Sequence, residues 1–262
     1  MKSSTPLTSN SGLLQAIATL TAIVATFAVN SLSNFYPPGG MNVGEISNTL
    51  FQEVAIIPAN YAFIIWGVIY VGLIAYGMFQ LQPAQRKDWS IRHVNRYLIV
   101  ACLAQVGWIY LFTLRWFWLS VVAMIIILLA LILAYESLGV GRVTTTLRRQ
   151  WLSHIPFSLY LAWISVATIV NVACALFASG LQGNSTIWTV GMLIVGTILA
   201  ILVTRFRTDT TFVLVFLWAY GAIAQRQQDN TVILGTAIVG AIAMLGQLLL
   251  SRRHQGKRTR SS

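Results

Sequence analysis

Charge is the scarcest feature of this chain. Of its 262 residues only 9% are Asp, Glu, Lys or Arg, against about 25% in an ordinary soluble domain. With 57% hydrophobic residues and a mean hydropathy of +0.74, the chain has too few charged side chains to cover a water-soluble surface. That excludes a soluble globular enzyme, a disordered chain and a nucleic-acid-binding domain together. Cysteine is almost absent too. Cys102 and Cys174 lie inside apolar runs and form no CxxC pair, so neither a disulfide framework nor a zinc site is expected. Both read as buried free thiols packing as small hydrophobes. Histidine is limited to His93, His154 and His254, in loops or at interfaces. No HExxH, carboxylate pair or Cys–His pair supplies a catalytic constellation.

What the chain has in abundance is long apolar runs. A membrane-crossing helix needs about 20 mainly apolar residues. Eight candidates follow: Leu13 to Ser31, Asn60 to Leu81, Tyr97 to Leu114, Trp116 to Tyr135, Ile155 to Phe177, Ile187 to Thr204, Thr210 to Gln225 and Thr231 to Leu250. None contains Lys, Arg, Asp, Glu or His. The seventh is short and the sixth only just long enough. Continuous rather than alternating hydrophobicity selects helices over a β-barrel.

The basic residues give an independent test. Fifteen of the seventeen Lys and Arg fall on one side of an eight-span topology: Lys2, the second, fourth and sixth loops, and the C-terminal tail. Only Arg115 and Arg226 fall on the other. Basic loops stay in the cytoplasm, so both termini are expected there, in a plasma (inner) membrane. The net charge of +11 is then a topology signal and not a nucleic-acid footprint. A rival reading takes Lys2 and the run from Leu13 as a signal peptide; the run's length and the lack of an A-x-A site weigh against it. The tail, Ser251 to Ser262, is basic and expected to be disordered and drawn to anionic lipid.

The spans carry no charge, which argues against ion coupling, since pumps and proton-coupled transporters keep ionisable groups in the membrane. Their polar content is aromatic and amide. Span two holds Asn60, Tyr61, Phe63, Trp66 and Tyr70, the last three sharing a face; span three holds Gln105, Trp108 and Phe112; span five holds Tyr160, Trp163, Ala167 and Asn171. Unpaired amides at membrane depth are costly. Two readings stand side by side. The stripes line a pocket for a large, flat, mostly apolar ligand, or they are interface aromatics and amide glue between helices. Trp89, Trp116, Trp118 and Trp151 flank spans and read as interface anchors. His154, at the start of span five, is either an interfacial residue or a haem-iron ligand. The first outer loop, Leu32 to Ala59, carries the turn Tyr36-Pro37-Pro38-Gly39-Gly40, Glu45 and Glu53, and a short helical stretch at Asn42 to Gln52. It reads as a lid over an outward pocket or as a plain linker.

Three of these segments resemble the TspO/MBR family, the tryptophan-rich sensory or translocator proteins. Pro58-Ala59-Asn60-Tyr61-Ala62-Phe63-Ile64-Ile65-Trp66-Gly67-Val68-Ile69-Tyr70 is similar to the family's proline-led second helix. Gln105-Val106-Gly107-Trp108-Ile109-Tyr110-Leu111-Phe112 resembles the Asn-x-x-Trp segment of its third, with Gln105 in place of asparagine. Pro156-Phe157, Leu161-Ala162-Trp163 and Asn171 resemble its fifth. The resemblance covers Pro58 to Phe177. It implies a five-helix bundle with a cavity opening toward the loop between helices one and two. It also implies binding of tetrapyrroles such as protoporphyrin or haem, or of sterol-like hydrophobes, with roles in transport, stress sensing and, in some members, porphyrin degradation. The chain departs from the family in its longer outer loop, in Asn60 or Tyr61 where tryptophan is frequent, and in three further spans. No internal repeat supports a duplicated transporter.

The combined expectation is an all-α polytopic membrane protein of about eight transmembrane helices. A TspO-like core occupies residues 1–180, including the outer loop 32–59; three additional helices occupy 181–250; a basic tail occupies 251–262. The candidate ligand-binding residues are Asn60, Tyr61, Trp66, Tyr70, Gln105, Trp108, Tyr160, Trp163 and Asn171. The expected function is binding or sensing of a planar hydrophobic ligand, with its transport left open. The alternatives are a secondary transporter or channel-like permease for a small solute, and a structural membrane subunit. No enzyme activity is expected, although porphyrin degradation stays open. No cofactor is required beyond a bound porphyrin or haem as ligand, and no metal site is expected. The expected partners are the lipid bilayer and a hydrophobic small molecule, with no nucleic acid. Gly235, Gly240 and Gly246 in the last span suit close packing within one chain or in a homodimer.

Overall fold

The computed structural model describes residues 12–181 and 183–258, with side chains through residue 252. The segment 1–11, with the basic residue and signal-peptide reading attached to it, and residues 259–262 lie outside the described residues. The described residues are helical, with no strand among them. α1 spans Leu13–Phe35, and the outer loop holds α2, Val43–Thr49. A 3-10 turn, Asn60–Ile64, leads into α3, Ile65–Gln80. A single turn, α4 (Pro83–Arg86), precedes α5, Trp89–Thr113, and α6, Phe117–Leu138. α7 (Leu147–Arg149) runs through a π-turn, Gln150–His154, into α8, Ile155–Ala178. The extension forms α9 (Ser185–Arg207), α10 (Thr210–Arg226) and α11 (Thr231–Arg258).

Seven of these helices are long and apolar enough to cross a membrane. α10 falls short: 17 residues give ~25 Å at 1.5 Å per residue, against ~30 Å of hydrocarbon. It nevertheless runs from end to end of the bundle. Asp209, its N-cap, accepts from the Tyr135 hydroxyl (2.8 Å) at the end where the basic loops gather, and Arg226, its last residue, reaches Asn48 of the outer loop (3.0 Å). These are called the basic end and the lid end below. α10 packs against α8, α9 and α11 and buries Phe212, Phe216 and Tyr220, so protein and not lipid covers most of it. The chain is an integral membrane protein. α6 shows the lipid face directly, with Val122, Ile126, Leu129 and Leu133 about half exposed, a patch that a soluble monomer rarely leaves open.

Helix ends depart from the apolar runs at the basic end. α5 starts at Trp89 and not at Tyr97, because the Asp88 carboxylate caps it, accepting from the Ser90 (2.8 Å) and Ile91 (3.4 Å) amides. α8 is preceded by helical turns that continue through Pro156. A proline inside a helix lacks an N–H and presses on the carbonyl four residues back; here that carbonyl, of Leu152, belongs to the wider π-turn. Gly72 of α3 makes room for the proline ring, since a Cβ there would meet Pro156 Cβ at 3.2 Å. α11 continues to Arg258 where a disordered tail is expected from Ser251; Lys, Arg and Gln are good helix formers and suit a helix C-terminus.

Buried polar groups tie the helices together. Tyr76 donates to Asn95 (2.7 Å), Asn95 to Gln80 (2.9 Å) and Gln80 to the Ala16 carbonyl (2.8 Å), joining α3, α5 and α1. At the basic end Arg207 pairs with Glu136 and lies 5.6 Å over the Tyr135 ring, while Asp209 accepts from Tyr135 and Ser158 (2.5 Å). These contacts fasten α9 and α10 to α6 and α8.

Candidate functional site

A cavity of about 470 Å³ opens between α1, α3, α5 and α8 at the lid end, with α2 across it. This lies inside the range of small-molecule pockets, about 300–1,000 Å³. Its walls are aromatic and aliphatic: Phe63 and Trp66 before and on α3, Trp108 and Phe112 on α5, and Trp163, Val166, Ala167, Val170, Asn171 and Cys174 on α8. Its rim is amide and hydroxyl: Asn30, Ser33 and Asn34 at the end of α1, Ser47 and Asn48 on α2, and Asn60. No charged side chain lines it.

The rings meet edge to face or stacked. Trp163 lies 6.5 Å from Trp66 and 6.2 Å from Phe63, both nearly perpendicular. Trp66 stacks on Tyr70 at 5.7 Å and meets Tyr160 at 6.0 Å, and Trp108 stacks on Phe112 at 5.4 Å. Such arrangements suit the ring quadrupoles and fix the indole planes around the void.

Of the nine residues expected to bind ligand, Asn60, Trp66, Trp108, Trp163 and Asn171 line this cavity. Tyr70 and Tyr160 pack behind Trp66, buried. Gln105 is fully buried and does not line it. Tyr61 turns away, edge-on to Trp218 of α10 at 5.1 Å. The Asn171 amide is engaged within the protein: Oδ1 accepts from the Trp108 indole (2.5 Å) and Nδ2 donates to Ser120 (2.9 Å), joining α5, α6 and α8. Other polar groups are left without a partner. The Trp163 indole N–H, the Tyr70 hydroxyl and both ends of the Gln105 amide are buried and unbonded, each at a cost of about 1–3 kcal/mol.

Apart from Asn60, sequence reasoning missed the rim. Asn30 and Asn34 sit four apart at the end of α1, a spacing that places both on one helix face. The outer loop reads as a lid in its geometry. α2 is held by a reciprocal capping box, with Asn42 Oδ1 accepting from the Glu45 amide (2.9 Å) and the Asn42 amide donating to Glu45 (2.7 Å). Phe51 behind it sits among Phe112, Phe117 and Phe177 at 4.9–6.3 Å. His154 stands 17 residues before Asn171 along α8, ~25 Å away by helix rise, and so is remote from the cavity. A smaller cavity of about 260 Å³, between α8, α9 and residues 53–56, holds Trp188 and none of the nine.

A family profile described as TSPO-like protein matches residues 16–250, through all eight long helices and not the core alone. No curated protein and no solved structure matches the chain.

Proposed function

Because the chain belongs to the TSPO-like protein family, we propose that its lid-end cavity binds a flat, mostly apolar small molecule inside the membrane. One observation carries the reading: tryptophans from three different helices converge on one void, and the buried indole N–H of Trp163 on its wall has no partner. A protein that packed these rings only as glue would have no reason to leave space between them or a donor unpaired. The ring faces supply stacking area, and the Trp163 indole N–H supplies a directional bond to a ring nitrogen or carbonyl oxygen. A tetrapyrrole such as protoporphyrin, or haem, fits that description. The uncharged lining supports sensing or passive passage of the ligand rather than proton-coupled pumping. The bias of the basic loops supports cytoplasmic termini, with the lid on the opposite side of the membrane. No catalytic step is part of this proposal.

The test is tryptophan fluorescence of the purified chain titrated with protoporphyrin IX. Saturable quenching is expected, and the Trp66→Leu, Trp163→Leu double variant should weaken binding about tenfold or more, as loss of two stacking aromatics does. An unchanged binding curve in that variant overturns the assignment.

A further inference from the structure

We infer that the C-terminal extension forms part of the ligand gate, with Arg226 at the end of α10 latching the lid helix α2 over the cavity. The inference rests on reading that cavity as the binding site. Arg226 Nη1 donates to Asn48 Oδ1 at 3.0 Å and to the Pro58 carbonyl at 3.5 Å. Asn48 belongs to the lid, Pro58 to the segment leading into α3, and both line the cavity. Asn48 also donates to Asn60 at 2.9 Å. One guanidinium thus clamps the two sides of the cavity mouth to each other.

The rest of α10 holds the same mouth from behind. The Trp218 indole donates to the Ala62 carbonyl (3.1 Å), and the Ala59 amide donates to the Ala222 carbonyl (3.1 Å). Residues 58–62 therefore lie along α10 as along a rail, which leaves α2, seated on α5 through the buried Ile46, as the side that lifts. Among the described residues, Asn48 is the one residue within α2 whose side chain hydrogen-bonds another segment; the hydroxyls of Ser47 and Thr49 turn back onto α2 itself. Its apolar anchors are Ile46, fully buried, and the Phe51 cluster just beyond its end. A charge-assisted hydrogen bond is about twice as strong as a neutral one, and among the described residues Arg226 and Arg115 are the two basic residues at the lid end. The lid is therefore latched near the C-terminal end of α2 by a residue outside the five-helix core.

Cys174 supplies the readout. It lines the cavity and is buried, whereas Cys102 is buried elsewhere. In a Cys102→Ser background, reconstituted in vesicles, alkylation of Cys174 by a charged, membrane-impermeant maleimide reports opening of the lid. Arg226→Ala and Asn48→Ala should each speed alkylation about tenfold, the worth of one hydrogen bond to a charged group. Arg226→Lys should fall between, since it keeps the charge and loses the fork. The double variant should be slower than the product of the two single effects, because both remove the Arg226–Asn48 contact. If Arg226→Ala fails to fold, Asn48→Ala reads out the latch without touching α10. Rates within about twofold of the parent, or effects that multiply in the double variant, overturn the latch. Protection of Cys174 by protoporphyrin IX separates the two readings. Protection with unaltered variant rates sinks the latch and keeps the site; faster variants without protection keep the latch and sink that ligand.

Discussion

At the residue scale, two buried amides predict opposite outcomes. Asn171 bonds Trp108 and Ser120; Gln105, buried as deeply, bonds nothing. Asn171→Ala strands the Trp108 indole N–H, at a cost of about 1–3 kcal/mol, while the Ser120 hydroxyl keeps its bond to the Phe117 carbonyl (2.6 Å). Gln105→Leu removes two unsatisfied atoms at similar volume, which is near neutral or stabilising. Thermal unfolding in detergent should therefore show a lowered midpoint for Asn171→Ala and an equal or raised one for Gln105→Leu. A marked fall for Gln105→Leu would mean that its amide has a partner within the ligand-free fold. The sequence made both amides visible but not their partners. Spacing tells which face of a helix a side chain occupies, not what the neighbouring helix offers it. Tyr61 shows a different limit. On an α-helical wheel it lies opposite Phe63, Trp66 and Tyr70, and it faces Trp218 instead of the void; the family resemblance, not the spacing, makes it a candidate.

At the scale of elements, the spans were legible because bilayer thickness dictates their length, and a run of apolar residues is unambiguous. Where helices emerge from the bilayer, hydropathy falls silent and capping decides. α5 gains its first two turns, through Arg92 and Arg96, from the Asp88 cap. The same carboxylate accepts from the Ser90 hydroxyl (2.7 Å) and from Arg149 (2.5 Å), tying α5 to the turns before α8. Partial burial pushes its pKa up, but the Ser90 and Arg149 hydrogen bonds and the Arg149 charge outweigh this and hold it below the ordinary carboxylate value. A depressed folded-state pKa contributes stability that is complete above the unfolded value, about 3.9 for Asp, and disappears as pH falls through the lower folded one. The wild-type chain should lose thermal stability as pH drops from 5 toward 3, about the range around that unfolded value. Asp88→Asn, which keeps a capping oxygen but no charge, should start lower at neutral pH and lose less. Parallel pH profiles for the two proteins would show that the Asp88 contacts do not carry this effect.

At the scale of the whole molecule, the extension looked separable in the sequence because the motif-bearing helices end at Phe177. The family match through residue 250 and the packing both join it to the core. At the lid end the joint is Arg226; at the basic end it is a backbone contact that no motif announces. Gly141, in the loop after α6, has φ +73°, and a Cβ built there would stand 1.8 Å from the Arg207 carbonyl oxygen. That oxygen belongs to the last turn of α9, whose side chain pairs with Glu136 and bonds the Val140 carbonyl. Neither partner can step aside: the Arg207 backbone is held by its helix and Gly141 by its turn. Gly40 is the control, since it has φ +80° with nothing within 4 Å of an added Cβ. Gly40→Ala carries only the left-handed backbone penalty, about 1–2 kcal/mol. Gly141→Ala adds a clash between two backbones, and the total should exceed about 4 kcal/mol, the level reserved for severe core disruption. Thermal midpoints of the two variants in the same detergent decide the matter. If Gly141→Ala melts with Gly40→Ala, then α9 does not dock on the α6 loop as described, and side-chain contacts such as Arg207–Glu136 and Asp209–Tyr135 hold the basic end without it.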